Sequence, residues 1–543
     1  MEKENDLVLN GIMLREEIHK VLEEAVEGPT PFKIAVSEPT ASGENRGHYS
    51  TNVAFSFSKI RKQPPLLIAE DIVKKIKNKA SKLIAKAEAV APGFINIWLA
   101  PDAFYKELEV ILKEKKNYGA GKKTKEKIQV EFISANPTGP LTLANGRGGF
   151  LGDVIANTLA FSGIEVEREY YVNDMGRQVL ILGKSIIASQ GHTPEEDEFY
   201  KGAYIAEWSA GHKKFVSENK NNPEAVGEVA AQDFLGMIKT TIEKKSGIRF
   251  DRYTSEKNDI RAKGFVEKTL AAFKKAGAAY ERDGAVWLKT SEHGDDKDRV
   301  LVTSEKEPTY FLADAGHYLE TKDRGFTGKI NILGPDHYGY VARIQAAAKL
   351  LGLANSRVLI TQAVRLIKNG EEARMSKRKG EFITFEELVN DVGADVARFF
   401  FLMIAPETHM DFDLGLAKEH SSKNPVFYVQ YAYVRARGIK EKAVEIKRRP
   451  DWNLLHTEED MRLMLALAEF PEIVADTAND IQAHRIPRYA IKLARAFQIF
   501  YERERVAGEE EKLAQARLGL VCATIQVFEN LFRVLGISAP EKM

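Results

Sequence analysis

The architecture follows from three consecutive segments, Ile128-Gln-Val-Glu-Phe-Ile133, Asn136-Pro-Thr-Gly-Pro140 and Gly146-Arg-Gly-Gly149. Apolar and polar residues alternate in the first segment, as they do in a β-strand. Proline and glycine mark the second as a loop. Apolar residues at helical spacing follow the third until Gly163, which suits the C′ position of a helix. A second strand is predicted over Val166–Val172. Strand, helix and strand in this order predict a βαβ unit with a right-handed crossover, and thus a parallel sheet.

The same sheet is predicted to continue further along the chain. Two short apolar runs, Asn331–Leu333 and Arg357–Ile360, are typical of its later strands. The polar, helix-rich residues of about 185–300 predict a helical insertion before them. We therefore expect a Rossmann-like domain over residues 116–420. Its ligands should bind at the carboxyl ends of the strands, beside the helix N-terminus.

One further domain is predicted on each side of this core. Residues 1–115 predict a small α/β domain. Its predicted elements are a helix over Leu14–Glu24, a lysine-rich helix over Ala69–Ala87 and a strand over Ala91–Leu99. Residues 421–543 have a helical pattern, and Thr457-Glu-Glu-Asp460 has the composition of a capping box. The chain is thus predicted to be a multidomain α/β protein with an all-α C-terminal domain.

Composition excludes several classes of protein. Of the 543 residues, 44% are hydrophobic and 29% charged, as in soluble globular proteins. Lys and Arg number 79 and Asp and Glu 78, so the net charge of +1 cannot attract a polyanion, and a nucleic-acid site must be a local patch. The single cysteine, Cys522, excludes an intrachain disulfide and cysteine-based zinc sites, and it fits a reducing, cytoplasmic compartment. No run approaches 18 consecutive apolar residues, so we expect no membrane-spanning helix.

Two segments have the composition of a phosphate-binding site. Gly146-Arg-Gly-Gly149 opens the predicted helix, where glycines let the backbone approach phosphates and the helix dipole favours anions; a tight turn without a ligand is the alternative. Arg374-Met-Ser-Lys-Arg-Lys-Gly380 concentrates cations in a polar loop, which suits a triphosphate; a solvated basic loop is the alternative. Neither segment is a Walker loop or a Gly-x-Gly-x-x-Gly dinucleotide fingerprint.

Together these regions resemble the two signatures of class I aminoacyl-tRNA synthetases, His-Ile-Gly-His and Lys-Met-Ser-Lys-Ser. The first signature corresponds to Thr142-Leu-Ala-Asn145 in this chain and the second to Arg374-Met-Ser-Lys-Arg378. Other stretches resemble blocks of one member, the arginyl-tRNA synthetase family, over essentially the whole chain. These stretches are Gly47–Ala54, Pro92–Asn96, Ser134–Leu141, Glu169–Gln178, Thr309–Asp314, Gly334–Tyr340, Asn424–Ala432 and Ser538–Met543.

The resemblance implies a two-step, ATP-dependent reaction. Arginine would attack the α-phosphate of ATP to give arginyl-adenylate and pyrophosphate, and the arginyl group would then move to the 3′ end of tRNA(Arg). The residues at the family's catalytic and ATP-binding positions are Thr142, Asn145, Gly146, Arg374, Met375, Ser376 and Lys377. Thr142 and Asn145 replace the two signature histidines, whereas Arg374 replaces the first lysine of the second signature and keeps its charge.

Arginine recognition in this family depends on carboxylates around the guanidinium group. The residues at the arginine-binding positions are Glu131, Ser134, Asn136, Tyr310, Asp314 and Asp336. Glu131 and Asp314 supply the carboxylates, which suit a planar five-donor fork that lysine cannot present. Judged without the family, Glu131 could face solvent and Asp314 could cap a helix. His337, next to Asp336, could be a structural hydrogen-bonding residue.

Two basic regions are predicted to contact tRNA. Tyr428, Gln430, Tyr431 and Arg435 lie in the stretch that resembles the family's anticodon-binding domain. Phe94 and Asn96 lie in the module that resembles the domain contacting the outer corner of tRNA. Basic side chains bind phosphates and tyrosines stack on unpaired bases, although a solvated basic face is the alternative for each region. By resemblance we expect a monomer, with ATP and Mg²⁺ as substrate and no zinc.

The missing histidines of the first signature leave two functions open. An active synthetase is one, because the rest of the pattern is complete. A tRNA-binding relative that has lost amino-acid activation is the other, because threonine and asparagine are shorter, neutral hydrogen-bond donors. The intact second signature argues against that alternative. The related cysteine enzyme is disfavoured because its zinc ligands include cysteines, and this chain has Cys522 alone.

Overall fold

Three structural parts follow one another along the chain. The computed structural model describes residues 9–11, 13–26, 34–37, 47–78, 82–194, 196–368, 370–372, 383–443 and 449–543. The first part consists of α1 (Leu14–Val26), β1 (Val36–Ser37), β2 (Tyr49–Thr51), α2 (Val53–Arg61), α3 (Pro65–Asn78), β3 (Ile84–Val90), β4 (Phe94–Leu99) and α4 (Pro101–Glu114). Its strands form an antiparallel sheet of order β1-β2-β4-β3, against which α3 packs.

The small N-terminal module is α/β, as predicted, but one of its elements differs from the prediction. The helix predicted over Leu14–Glu24 is confirmed as α1. The helix predicted over Ala69–Ala87 is wrong at its end, since α3 ends at Asn78 and Ile84–Val90 forms a strand paired with β4. Alanine and lysine in that strand favour a helix, but cross-strand pairing outweighs a weak local propensity.

The second part holds the parallel sheet. Its elements are β5 (Lys127–Glu131), α5 (Leu143–Phe161), β6 (Glu165–Val172), α6 (Arg177–Ser189), α7 (Ala203–Gly211), α8 (Lys213–Glu218), α9 (Pro223–Thr240), β7 (Arg252–Ser255), α10 (Phe265–Lys275), β8 (Ala279–Arg282), β9 (Ala285–Leu288), β10 (Arg299–Val302), α11 (Tyr310–Asp323), β11 (Gly328–Leu333), α12 (Val341–Leu350), β12 (Arg357–Ile360), β13 (Val364–Lys368), β14 (Glu371–Glu372), α13 (Phe385–Val392), α14 (Ala394–Leu402), β15 (Met410–Asp413) and α15 (Leu414–Ala417).

The main sheet has the order β12-β11-β5-β6-β7 in the described residues, and every pair is parallel. The predicted βαβ unit is confirmed as β5, α5 and β6, and the predicted strands Asn331–Leu333 and Arg357–Ile360 lie in β11 and β12. Gly163 has φ +88° directly after α5, in the predicted C′ position. This sheet order places the carboxyl ends of β5, β6 and β11 side by side.

The insertion over residues 185–300 is less uniformly helical than predicted. Strand β7 joins the edge of the main sheet, and β8, β9 and β10 form a small antiparallel sheet. Each of these strands has four residues, too few for alternation to distinguish them from loops. The insertion thereby contributes β7, the edge strand of the main sheet, which pairs with β6.

The third part is helical. Its helices are α16 (Pro425–Lys442), α17 (Glu458–Ala468), α18 (Phe470–Asp480), α19 (Arg485–Arg503) and α20 (Glu511–Leu535). The predicted capping box is confirmed at α17, where the Thr457 side chain and Asp460 hydrogen-bond reciprocally. Helix α20 is long and apolar enough to cross a membrane by length and composition alone, but 78% of its apolar window is buried inside the protein. It therefore packs as a core helix does.

Candidate active site

A cavity of about 1240 Å³ opens at the carboxyl ends of β5, β6 and β11. The predicted residues on its wall are Glu131, Ser134, Asn136, Thr142, Asn145, Tyr310, Asp314 and Asp336, together with His337. The fold thus brings residues that are 200 positions apart in the chain into one site. The predicted Arg374, Met375, Ser376 and Lys377 lie outside the described residues.

The turn after β5 has a strained backbone, and its Ser134 lines this cavity. Ile133 and Ser134 both have positive φ, +66° and +37°, a conformation that residues with a Cβ seldom adopt. In this turn the Ser134 hydroxyl donates a hydrogen bond to Oε1 of Glu131 (3.1 Å). Strain of this kind persists where the surrounding structure enforces it, and it is common at functional sites.

The first turn of α5 carries Thr142 and Asn145 in a capping box. The main-chain N–H of Asn145 donates to Oγ1 of Thr142 (3.4 Å), and the main-chain N–H of Thr142 donates to Oδ1 of Asn145 (3.0 Å). The Thr142 hydroxyl also donates to Oδ1 of Asn145 (2.8 Å). The Thr142 hydroxyl hydrogen is therefore already used. In this arrangement Nδ2 of Asn145 is left for a ligand, and the expectation that both side chains donate to phosphate stays a prediction.

Gly146 does not line the cavity, in contrast to its predicted ATP contact. A Cβ at Gly146 would lie 2.2 Å from the Phe385 ring, so glycine is needed here for α5 to pack on α13. The Phe385 N–H donates to the Leu141 carbonyl (2.9 Å), and Thr142 pairs with Thr384 in an isolated bridge. The segment that follows the second signature is thus hydrogen-bonded to the segment that contains the first signature.

Arg147 attaches the segment that precedes the second signature to α5. Its buried guanidinium donates to the main-chain carbonyls of Gln362 (2.9 Å), Ala405 (2.9 Å) and Thr408 (3.0 Å). Burial lowers the pKa of Arg147 to about 10. Gln362 lies two residues before β13, which leads towards Arg374. The described residues before and after the second signature are therefore both fixed relative to the first turn of α5.

Glu131 ends β5 and faces the cavity with 6% of its surface exposed. In addition to Ser134 it accepts a hydrogen bond from Nδ2 of Asn331 and pairs with the Lys329 ammonium (3.1 Å). Tyr318 in turn donates to Oδ1 of Asn331 (2.6 Å). The alternative of a solvent-facing Glu131 is therefore wrong.

Glu131 belongs to a buried group of charges below the cavity. Among the described residues, one set has carboxylate and imidazole atoms close enough to hold a metal ion, Glu131, Glu169 and His317. The Lys329 Nζ atom lies 3.1 Å, 2.9 Å and 3.0 Å from these three residues respectively. The cation at the centre of this group is thus the lysine ammonium.

Asp314 lies in the second turn of α11, also on the cavity wall. The helix is capped by Thr309, whose side chain accepts from the Leu312 N–H, so the alternative of Asp314 as a cap is wrong. Tyr340 donates a hydrogen bond to Oδ2 of Asp314. Burial, with the nearby carboxylates of Glu131 and Glu256, raises the pKa of Asp314 to about 6 despite that hydrogen bond.

Sequence reasoning missed Glu256, a further carboxylate on the cavity wall. It begins the π-helical turn Glu256–Arg261 after β7 and pairs with Arg261 (2.9 Å). On another side, Arg177 pairs with Glu198 (2.6 Å) and Tyr200 donates to Gln178. Arg177 and Gln178 lie in a family-like block. The other three lining residues, Glu198, Tyr200 and Glu256, come from the insertion, where no motif indicated them.

Asp336 and Tyr310 lie at the more open side of the cavity. Asp336 belongs to the 3₁₀ turn Pro335–Tyr340 and pairs with the neighbouring His337 (3.5 Å). Tyr310, the first residue of α11, is 71% exposed. Both side chains are therefore accessible to a ligand that enters from solvent.

The C-terminal residues predicted to contact tRNA divide into two groups. The Arg435 guanidinium lies 4.5 Å from the ring centroids of Tyr431 and Tyr501 and donates to the Tyr431 hydroxyl (3.0 Å). Tyr428 is half-buried on the same helix, α16. Gln430 instead donates to Asp395 and to Ser538, which attaches the C-terminal segment to the core.

The two N-terminal residues predicted to contact tRNA differ in exposure. Phe94 is 38% exposed and makes an edge contact with Phe55. Asn96 is buried and accepts a hydrogen bond from the Ser50 hydroxyl (3.0 Å). Phe94 therefore presents a surface for a partner, whereas Asn96 stabilises the sheet.

Comparisons with known proteins cover nearly the whole chain. Family models match in chain order: "Arginyl tRNA synthetase N terminal domain" over residues 13–99, "tRNA synthetases class I (R), catalytic domain" over residues 107–398 and "DALR anticodon binding domain" over residues 429–543. The sequence is 39% identical to the arginine–tRNA ligase of Symbiobacterium thermophilum over 98% of this chain and 99% of that protein. It is 40% identical to that of Desulfosudis oleivorans over 92% of this chain and 93% of that one. The fold is similar to that of Thermus thermophilus arginyl-tRNA synthetase, with a TM-score of 0.79 and 22% identity over 98% of this chain and 100% of that chain.

Proposed function

The chain belongs to the arginyl-tRNA synthetase family, and on this premise we propose that it activates L-arginine with ATP and transfers the arginyl group to tRNA(Arg). In the first step a carboxylate oxygen of arginine attacks the α-phosphorus of ATP, and the bond to pyrophosphate breaks. In the second step a hydroxyl of the terminal ribose attacks the arginyl carbonyl, and AMP leaves. Both steps need the amino acid and the nucleotide in one site.

The observation that carries this proposal is the joint presence of two kinds of group in one cavity. Glu131, Asp314 and Glu256 bring carboxylates to one region of the wall, which suits the guanidinium of arginine. Asn145 and the N-terminus of α5 bring hydrogen-bond donors to another, which suits the phosphates of ATP. Magnesium would enter bound to ATP, since phosphate oxygens and water supply most of its ligands.

The alternative of a tRNA-binding relative without activity is not favoured. The relatives that match 98% and 92% of this chain are arginine–tRNA ligases. Binding of RNA, a polyanion, does not need the carboxylates of the cavity. Arg435, Tyr431 and Tyr501 give the C-terminal domain a cationic and aromatic surface for an unpaired base. We further propose that the enzyme acts as a monomer in the cytoplasm, in agreement with its single cysteine.

Transfer of radiolabelled arginine to total tRNA tests the proposal. The assay contains ATP and magnesium at low salt, and lysine, glutamate and cysteine are tested in parallel. We expect charging with arginine alone. Charging with another amino acid, or none while tRNA still binds, would refute the proposed function.

A further inference from the structure

Lys329 is a fully buried lysine directly below the proposed arginine site. It lies on β11, and its ammonium donates to Oε1 of Gln129 (2.6 Å) and Oε2 of Glu169 (2.9 Å). It also lies 3.1 Å from Oε2 of Glu131 and 3.0 Å from Nε2 of His317. The ammonium therefore joins strands β5, β6 and β11 to helix α11.

The two carboxylates that Lys329 bridges have different surroundings. Glu169 has no exposed surface and is held by the Thr254 hydroxyl and His317. Glu131 lines the cavity and can meet a ligand. Lys329 thus connects a carboxylate that no substrate can reach with one that faces the proposed substrate.

With the His317 imidazole neutral, the charges of this group leave one negative charge for the ligand. Glu131 and Glu169 supply two carboxylates and Lys329 one ammonium. Burial alone would lower the pKa of Lys329, but the two carboxylates raise it above its ordinary value. The pKa of Glu169 is well below its ordinary value because His317 and Lys329 outweigh its burial. Without the ammonium, two adjacent buried carboxylates would have to share a proton.

We propose that Lys329 is a positioning residue for arginine recognition, which rests on the proposed function. It pairs with the inaccessible Glu169 and holds the Glu131 carboxylate in the orientation that meets the substrate's guanidinium group. Asn331 and Ser134 fix the Glu131 carboxylate from the cavity side, and Lys329 fixes it from below. The other titratable groups that face this carboxylate are Asp314 and His317 on α11, Glu256 after β7, and Tyr171 and Tyr318. The Lys329 ammonium lies 3.1 Å and the His317 imidazole 3.7 Å from this carboxylate.

Two variants test this role. Lys329→Met leaves Glu131 and Glu169 to share one proton, whereas Lys329→Met combined with Glu169→Gln restores the original net charge without the ammonium. The KM for arginine, the KM for ATP and kcat are measured by ATP–pyrophosphate exchange with tRNA present, and the melting temperature is recorded. Lys127→Met is the matched control, since Lys127 pairs with Glu165 (3.3 Å) at the opposite end of β5.

The single variant should raise the KM for arginine by about tenfold or more while the KM for ATP changes by less than about twofold. The double variant should bring the KM for arginine back to within about threefold of the wild type. It leaves one buried carboxylate instead of two, Glu131, which still accepts hydrogen bonds from Ser134 and Asn331, so it tests the inference even where the single variant does not fold. The Lys127 control should match the wild type.

An unchanged KM for arginine in the single variant would overturn the inference. So would a double variant whose KM for arginine stays raised, or a loss confined to melting temperature and kcat. Wild-type protein that shows no exchange with arginine would instead refute the proposed function. The two failures are thereby distinguished.

Discussion

Thr142 and Asn145 hydrogen-bond to each other at the N-terminus of α5, the threonine hydroxyl donating to Oδ1 of the asparagine at 2.8 Å. This pair stands where the family has two histidines. The bond uses the hydroxyl hydrogen and leaves Nδ2 of Asn145 for a ligand. We therefore expect different roles for the two residues, a helix cap for Thr142 and a phosphate contact for Asn145.

Asn145→Asp should separate these roles. Aspartate keeps the acceptor of the capping box and favours a helix N-terminus, so the melting temperature should not fall. It replaces the Nδ2 donor with an anionic oxygen, and the rate of arginine activation should fall by about 10²–10³-fold or more. Asn145→His should keep activity within about tenfold, because imidazole also donates to phosphate. Equal activity of the aspartate variant and the wild type would show that Nδ2 does not contact ATP.

Glu131→Gln should raise the KM for arginine by about 10-fold or more, since a charge-assisted hydrogen bond to guanidinium is lost. The change is nearly isosteric, so tRNA binding should be unaffected. Arginine titration in the exchange assay measures the first and a filter-binding titration the second. If the KM for arginine does not change, Glu131 does not contact the substrate.

Asp314 should make arginine use dependent on pH. Its pKa is raised to about 6, so its carboxylate is lost as the pH falls through that value, and kcat/KM for arginine should fall with it. The sign for stability is opposite. A raised carboxyl pKa favours the protonated folded state, so the folded protein loses stability as the pH rises from about 4 through 6.

Asp314→Asn should consequently be more stable than the wild type at pH 7 without arginine, by about 1–3 kcal/mol, and not at pH 4. Thermal unfolding at both pH values measures the difference. The same variant should lose arginine activation. A variant that is less stable at pH 7 would contradict the assigned cost of this buried carboxylate.

Arg147→Lys should lower kcat for activation by about tenfold or more and leave arginine KM and tRNA affinity within about threefold. Lysine cannot reach three carbonyls in two directions, so the two signature segments would lose their common attachment. Arg365→Lys, which alters an exposed pair with Asp411, is the control. A parallel rise in arginine KM would show a wider disturbance of the site.

Tyr431→Ala should raise the Kd for tRNA by about 5- to 100-fold, as expected for the loss of base stacking. Tyr431→Phe keeps the ring and should stay within about threefold. Binding should also weaken with added salt, because phosphate contacts release counterions. If the alanine variant binds tRNA normally, the surface formed by Tyr431, Arg435 and Tyr501 is not a tRNA contact.

The sequence predicts the centre of the fold better than its edges. Alternation in Ile128–Ile133 and the glycines from Gly146 onward indicate β5 and α5 because local pattern and tertiary role agree there. In Ile84–Val90 they disagree, and pairing with β4 decides for a strand. Strand β7 was missed because its four residues carry too little pattern.

The candidate site was predictable where a family motif names its residues. Glu131 and Asp314 were found in this way, and the structure places both on the cavity wall. Glu256 and Lys329 were not, because each lies more than a hundred residues from Glu131 and has no motif of its own. Their proximity to Glu131 depends on sheet order and on the turn after β7, which are tertiary properties.

The most direct test is a crystal structure of the protein with a non-hydrolysable sulfamoyl analogue of arginyl-adenylate. We expect the guanidinium to lie within hydrogen-bond distance of Glu131 and Asp314, and the sulfamoyl group to lie within reach of Nδ2 of Asn145. An analogue bound with its guanidinium away from both carboxylates would contradict this expectation.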